Sequence, residues 1–202
     1  MLLYNYLFTF SDFAGILTGD DNLTVFADGR LVGYNGGAWD KARWFSFPSE
    51  TKVITVFVYN RPNGFGGFLG VFSNGAVTDS SWKCKESFIK PDDGWEQTNF
   101  TDNTWPNAFV RHDNSGRYSS TRVFGIPNDV HWISAENHYA TRFICRRRIS
   151  KEERLIKTSK YSVSLFTVSA IVINLSKRTL KQLHKTVRSE SSNTEEVRHS
   201  RL

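Results

Sequence analysis

The chain has only two cysteines, one methionine and five prolines in 202 residues. Two cysteines cannot staple a disulfide-dense miniprotein or complete a four-cysteine zinc site. One methionine and few alanines, beside fourteen glycines, argue against a helical bundle. No Lys or Arg precedes Arg30, and Asn5 and Asp12 interrupt the apolar opening. Residues 1–18 therefore lack the basic start and unbroken apolar run of a secretory signal, and read instead as an apolar segment carrying the first strand. There is no Gly-rich phosphate loop ahead of a helix. The turn 63–67 lies between strands, where no helix N-terminus can receive an anion. His112, His131, His138, His184 and His199 show no metal-ligand or nucleophile spacing. Asp20-Asp21 and Asp92-Asp93 are paired carboxylates, but neighbours in a strand point to opposite faces, so neither pair reads as an acid/base couple. These absences point away from an enzyme.

What the chain does have is apolar bulk. Hydrophobic residues make up 39% and aromatics 14%, with six Trp and sixteen Phe, which is enough surface for one well-packed core and excludes wholesale disorder. The charge is divided. Residues 1–145 hold 12 Lys/Arg against 15 Asp/Glu, a net of −3, while residues 146–202 hold 14 against 5, a net of +9; together they give the +6 of the whole. The pattern predicts a mildly acidic domain over 19–149 and a basic tail over 150–202, with the boundary near Arg146–Ser150.

Strand signals recur through the first part. Asn22 to Ala27 alternate, and Asp28-Gly29 is a two-residue hairpin dipeptide from which Arg30-Leu31-Val32-Gly33 returns. Trp44 to Phe47 form a short strand stopped by Pro48. Lys52 to Tyr59 are β-branched and almost wholly apolar, as in a strand central to its sheet. A Gly-, Asn- and Pro-rich turn from Asn60 to Gly67 leads to Phe68–Phe72, closed by Asn74-Gly75. Trp132-Ile133 and Thr141–Cys145 read as closing strands. Short strands with turn signals every eight to twelve residues predict an all-β sandwich or barrel. Residues 80–110 read as an irregular polar crossover. Its Trp82, Trp95 and Trp105 either pin it to the core or offer one ring as a sugar platform; the first reading is preferred, since Trp is mostly buried.

Cys84 and Cys145 lie 61 residues apart. A bridge between them, preferred here over two separate buried thiols, would add about 2–4 kcal/mol and place the chain in an oxidising compartment. Asn22, Asn99 and Asn174 begin Asn-x-Ser/Thr sequons. In the tail, Tyr161–Leu175 is uncharged and bracketed by basic residues. As a helix it would rise about 22 Å, against a hydrocarbon core of about 30 Å. It reads as a marginal membrane anchor, a packed element, or a tail without a partner. The tail lacks aromatics interleaved with Lys/Arg, so nucleic acid is not an expected partner.

Two stretches resemble a known family. Thr18-Gly19-Asp20-Asp21-Asn22 followed by the strand to Asp28-Gly29-Arg30 resembles the acidic-pair hairpin of galactose-binding-like jelly rolls, found in carbohydrate-binding modules, rhamnosidase amino-terminal domains and PA14-like domains. Gly94-Trp95 with Asn99-Phe100-Thr101-Asp102-Asn103-Thr104-Trp105-Pro106-Asn107-Ala108 resembles a Gly-Trp…Trp-x-x-Ala segment of the same glycosidase-associated modules, and Trp132-Ile133 matches their later strand. Ser73 to Cys84 resembles secreted, single-disulfide members. The resemblance covers roughly residues 15–149. It implies an antiparallel jelly-roll sandwich of eight or nine strands acting as a non-catalytic module. In PA14-like lectins the acidic pair holds calcium, and Asp20 and Asp21 match it by position; the other reading is that they only start the hairpin.

The expected function is extracellular or cell-surface carbohydrate binding. Candidate ligand contacts come from the loops, at Asp20, Asp21, Trp39, Asn60, Arg61, Asn63, Trp95, Asn114, Arg117 and Tyr118. The alternative is a structural or adhesive matrix domain acting through protein contacts, with a membrane reached through residues 161–175.

Overall fold

The computed structural model describes residues 12–62, 64–87, 93–116, 122–137 and 139–155. The apolar segment 161–175, the rest of the basic tail and the sequon at Asn174 lie outside the described residues, as does most of the opening apolar run. No helix among the described residues is long and apolar enough to cross a membrane.

Among the described residues ten strands form: β1 (Phe13–Asp20), β2 (Asn22–Ala27), β3 (Arg30–Gly36), β4 (Arg43–Phe47), β5 (Val53–Tyr59), β6 (Gly67–Phe72), β7 (Lys83–Glu86), β8 (Phe109–Asp113), β9 (His131–Ser134) and β10 (Arg142–Arg148), followed in the chain by a short helix α1 (Lys151–Leu155). They make two five-stranded sheets, ordered β4-β1-β6-β9-β8 and β3-β2-β5-β10-β7. Every pairing is antiparallel. The protein is thus an all-β, two-sheet antiparallel sandwich compatible with a jelly roll.

Local chemistry explains most of these elements. Asp28 and Gly29 have φ of 48° and 83°, the positive values that a tight two-residue hairpin demands, and Ala27 pairs with Arg30 across the turn. The Asp28 carboxylate then accepts the backbone N–H groups of Lys52 and Val53 at 3.0 and 2.8 Å, which ties the hairpin to the start of β5. β5 lies between β2 and β10, the central position its β-branched run predicts. Its Ile54, Val56 and Val58 enter a core shared with Leu17, Phe47, Phe68, Phe72 and Trp82. The Trp82 indole N–H donates to the Val77 carbonyl at 2.8 Å, so the ring is buried without an unmet donor.

The opposite face of β5 is covered as well. Trp95, Trp105 and Ile144 form a second apolar cluster, with Phe26, Phe57 and Phe100 packed against it. Residues 93–107 therefore lie over the outer face of the second sheet, pinned by their aromatic rings. The crossover is less irregular than expected: it contains β7 and ends where β8 begins, giving ten strands in place of eight or nine. Both strands are short, sheet-edge and rich in charge, so neither shows the apolar alternation by which strands are recognised.

Cys84 stands directly opposite Cys145 in the β7–β10 register, and the two form a disulfide on the inner face. Alternation then turns the next residue, Arg146, outward beneath residues 93–107. The sequence ended the closing strand at Cys145 and set the domain boundary near Arg146–Ser150, but β10 runs on to Arg148 and Arg146 is 0% exposed. Its Nε donates to Asp102 Oδ2 at 2.8 Å, Nη1 to the Trp95 carbonyl at 2.9 Å and Nη2 to the Phe100 carbonyl at 3.2 Å. Burial pulls the guanidinium pKa down, and the hydrogen bond and charge of Asp102 push it back up. An arginine so placed stays charged.

Two outcomes are expected. Reducing the disulfide, which closes 61 residues of chain, lowers unfolding stability by about 2–4 kcal/mol, read from urea melts with and without dithiothreitol. Arg146→Met takes from the buried Asp102 carboxylate its close partner, leaving only Arg148 at 3.9 Å, and removes the donor to the Trp95 carbonyl; it costs about 3–5 kcal/mol in the same assay.

Candidate functional site

In β1, Phe13 and Leu17 face the sandwich core. Alternation sends Ile16, Thr18 and Asp20 to the outer face of the first sheet. Two pieces of chain cover part of that face. One is residues 122–130, with Gly125 over Ile16 and anchored by buried Asn114. The Asn114 side chain donates to the Val123 and Ile126 carbonyls at 3.0 and 2.8 Å and accepts from the Val123 N–H at 2.9 Å. The other is the loop carrying Trp39. Thr18 Oγ1 donates to the Trp39 carbonyl at 2.9 Å, and buried Asn35 donates to the Lys41 carbonyl at 2.9 Å and to Thr18 Oγ1 at 3.3 Å.

Beside the Trp39 loop lies a cleft of about 340 Å³ lined by Asp20, Trp39, Phe65, Gly66, Gly67, Arg111, His112 and Trp132. Trp39 meets Trp132 edge to face with ring centroids 6.3 Å apart. Gly67 is required beneath Trp132: a Cβ there would stand 2.7 Å from Trp132 Cε3. Phe65, 61% exposed, packs its ring against Tyr139 at the rim, centroids 5.3 Å apart. Arg111 comes from β8. Its Nε donates to Ser134 Oγ at 2.9 Å and its guanidinium lies 5.7 Å from the Phe109 ring centroid. Burial lowers its pKa.

Asp20 is the acidic group of the cleft. Its pKa rises from 3.8 to about 6, first because it is buried and then because the Asp21 charge lies beside it; Arg61 opposes the rise and a hydrogen bond with Asp21 adds to it. The two carboxyls are therefore neighbours, contrary to the alternation expected of a strand. β1 ends at Asp20 and Asp21 occupies a bend, so the period of two stops there; the peptide between them is cis.

The expected ligand contacts separate into three groups. Asp20 and Trp39 line the cleft. Asp21 and Arg61 adjoin it and hold each other: the Arg61 N–H donates to Asp21 Oδ2 at 2.9 Å, with Nε at 3.6 Å. Asn60, Trp95 and Asn114 are structural. Asn60 is buried and its amide donates to the Gly64 carbonyl at 2.8 Å, closing the 60–67 loop; Trp95 and Asn114 are used as described above. Asn63, Arg117 and Tyr118 lie outside the described residues. Of the sequons, Asn99 is exposed in a turn, while Asn22 Oδ1 accepts from the Tyr34 hydroxyl at 2.8 Å and the Gly37 N–H at 3.0 Å.

The donors present do not fit calcium. The ion takes six to eight oxygens. Here one of the two carboxylates is engaged by Arg61, and no group of three or more His, Cys, Asp or Glu gathers among the described residues. Sequence reasoning missed Arg111, His112, Phe65 and the Gly66-Gly67 floor. Nothing in the sequence marks Arg111 apart from other arginines, because its place depends on β8 pairing with β9.

The class that fold and cleft define is a single-disulfide β-sandwich with an aromatic-walled cleft on one outer face. No family model matches the chain, and neither any curated protein nor any solved structure matches it.

The raised Asp20 pKa has a sign that can be checked. The folded state holds this proton more tightly than the unfolded chain does, so the associated stability is complete below about pH 4 and is lost as pH rises through 6. Asp20→Asn removes that loss. The melting temperature of the variant relative to the native chain should climb between about pH 4 and pH 7; parallel curves would show that Asp20 titrates normally.

Proposed function

We propose that the sandwich is a non-catalytic carbohydrate-binding module of a secreted or cell-surface protein, similar to galactose-binding-like and PA14-like jelly rolls, and that the cleft on the first sheet receives the sugar. The observation that carries this reading is the cleft's lining: the rings of Trp39, Trp132 and Phe65 stand with the Asp20 carboxyl and the Arg111 guanidinium around about 340 Å³. Sugars offer apolar C–H faces to rings and hydroxyls to fixed polar groups, and this lining presents both. The volume lies within the usual range of about 300–1,000 Å³ for small-ligand clefts. The rings also need little ordering on binding, since Trp39 and Trp132 already brace each other.

The disulfide supports the extracellular part of this reading, since such bonds persist in oxidising surroundings. Calcium has no part in this reading, given the donor set around Asp20 and Asp21. The adhesive alternative draws on a different surface: Leu31 and Tyr34, exposed at 66% and 53% on edge strand β3. Exposed apolar side chains on an edge strand suit a protein partner.

A glycan array separates the two. Binding to a defined sugar class, weakened at least about tenfold by Trp39→Ala at unchanged circular dichroism, supports the carbohydrate reading. Silence across the array from folded protein favours the adhesive one.

A further inference from the structure

We propose that the cleft selects a sugar bearing a carboxylate and that Arg111 is the residue that receives it. This inference rests on the carbohydrate reading of the same cleft and narrows it to an acidic class of ligand.

Arg111 differs from the arginines that form ion pairs within the sandwich. Arg61 faces Asp21, Arg146 and Arg148 face Asp102, and Arg147 faces Glu153. Among the described residues no carboxylate lies within ion-pairing distance of Arg111. Its Nη2 is buried and has no hydrogen-bond partner there. A half-buried guanidinium with an unmet donor carries a desolvation cost, which the neighbouring Tyr139 and the Ser134 hydrogen bond offset only in part. The group is also held in place. The Phe109 ring centroid lies 5.7 Å from it, and Ser134 Oγ accepts from Nε while donating its own proton to the Ala135 carbonyl at 2.6 Å. The guanidinium therefore stands fixed at the cleft wall before any ligand arrives.

Ligand chemistry follows from that position. A carboxylate at the cleft wall would give the guanidinium the counter-ion it lacks there, and a charge-assisted pair is roughly twice as strong as a neutral hydrogen bond. A neutral hydroxyl could accept one N–H but would leave the charge uncompensated. The cleft's own carboxyl does not serve as counter-ion: Asp20 forms no ion pair with Arg111 and interacts instead with Asp21 and Arg61. It remains available to sugar hydroxyls. A uronic or sialic acid residue thus offers ring faces to Trp39 and Trp132, hydroxyls to Asp20 and its carboxylate to Arg111.

The test uses matched sugars that differ at one carbon. Methyl glucuronide and methyl galacturonide are titrated calorimetrically into the full chain beside methyl glucoside and methyl galactoside, with N-acetylneuraminic acid and glucose 6-sulfate as further arms. At least one carboxylated sugar should bind ten times or more tighter than its neutral counterpart. Arg111→Gln should erase that preference while leaving neutral-sugar affinity in place, and Arg111→Lys should restore part of it. Neutral sugars binding as tightly as the acids, or a preference that survives Arg111→Gln, would overturn the inference and leave the carbohydrate reading standing. Tight binding of the sulfate alone would overturn the carboxylate assignment. Heat from none of the sugars, with the protein shown folded, would remove both readings together. Should Arg111→Gln fail to fold, the paired sugars on the native chain decide the matter alone.

Discussion

A buried charge organises this sandwich. Arg146 follows Cys145 on β10, so the register that turns the cysteine inward to its disulfide turns the arginine outward to residues 93–107. With Asp102 and two carbonyls it makes a set of charge-assisted bonds shielded from water. Beside them, Arg148 donates to the carbonyls of Thr98 and Phe100 at 3.2 and 3.0 Å. These bonds fix the backbone of a polar stretch that has little regular structure of its own, and they let Trp95, Trp105 and Phe100 seal the second sheet. Such a pair is a weak source of net stability, because desolvation takes back much of the attraction. Its effect is on conformation: it admits one path for residues 93–107 and penalises others, since any other leaves the guanidinium or Asp102 buried without a partner.

Sealing one sheet decides where a ligand can go. The outer face of the second sheet is covered by the aromatic rings of residues 93–107. The first sheet is covered only in part, by the Trp39 loop and by residues 122–130. Its uncovered end becomes the cleft. Both covers hang on buried asparagines, Asn35 and Asn114, each using a side-chain amide to satisfy backbone carbonyls that the loops would otherwise bury unpaired. The wall groups are thereby set by the scaffold: Asp20 by the end of β1, Trp132 by β9 over Gly67, Arg111 by β8 against Ser134. An aromatic-lined hollow that already holds its polar groups suits recognition, and the proposed function uses no other property of the fold.

Much of the sandwich was legible in the chain. Asp28-Gly29 announced its hairpin because only residues tolerant of positive φ fit there, and the apolar run of β5 announced a central strand. β7 and β8 were hidden, because sheet-edge strands carry charge where interior ones carry apolar alternation. Asp20 and Trp39 were named as site residues, but so were Asn60, Trp95 and Asn114, which the fold consumes internally. Asparagine and tryptophan serve a loop's own backbone or core with the same groups they would offer a sugar, so type and loop position cannot separate the two uses.

The sequence by itself determined the all-β class, the order of the strong strands, the cysteine pair and the division of charge between the first 145 residues and the rest. These follow from short-range chemistry: periodicity, turn dihedrals and composition. Tertiary structure alone decided that Arg146 is a buried residue of the last strand, that Asp20 and Asp21 sit side by side, and that Arg111 stands on the cleft wall with no carboxylate among the described residues within ion-pairing distance. Each of these depends on strands that meet across tens of residues of chain, and on which groups burial then leaves with or without a partner.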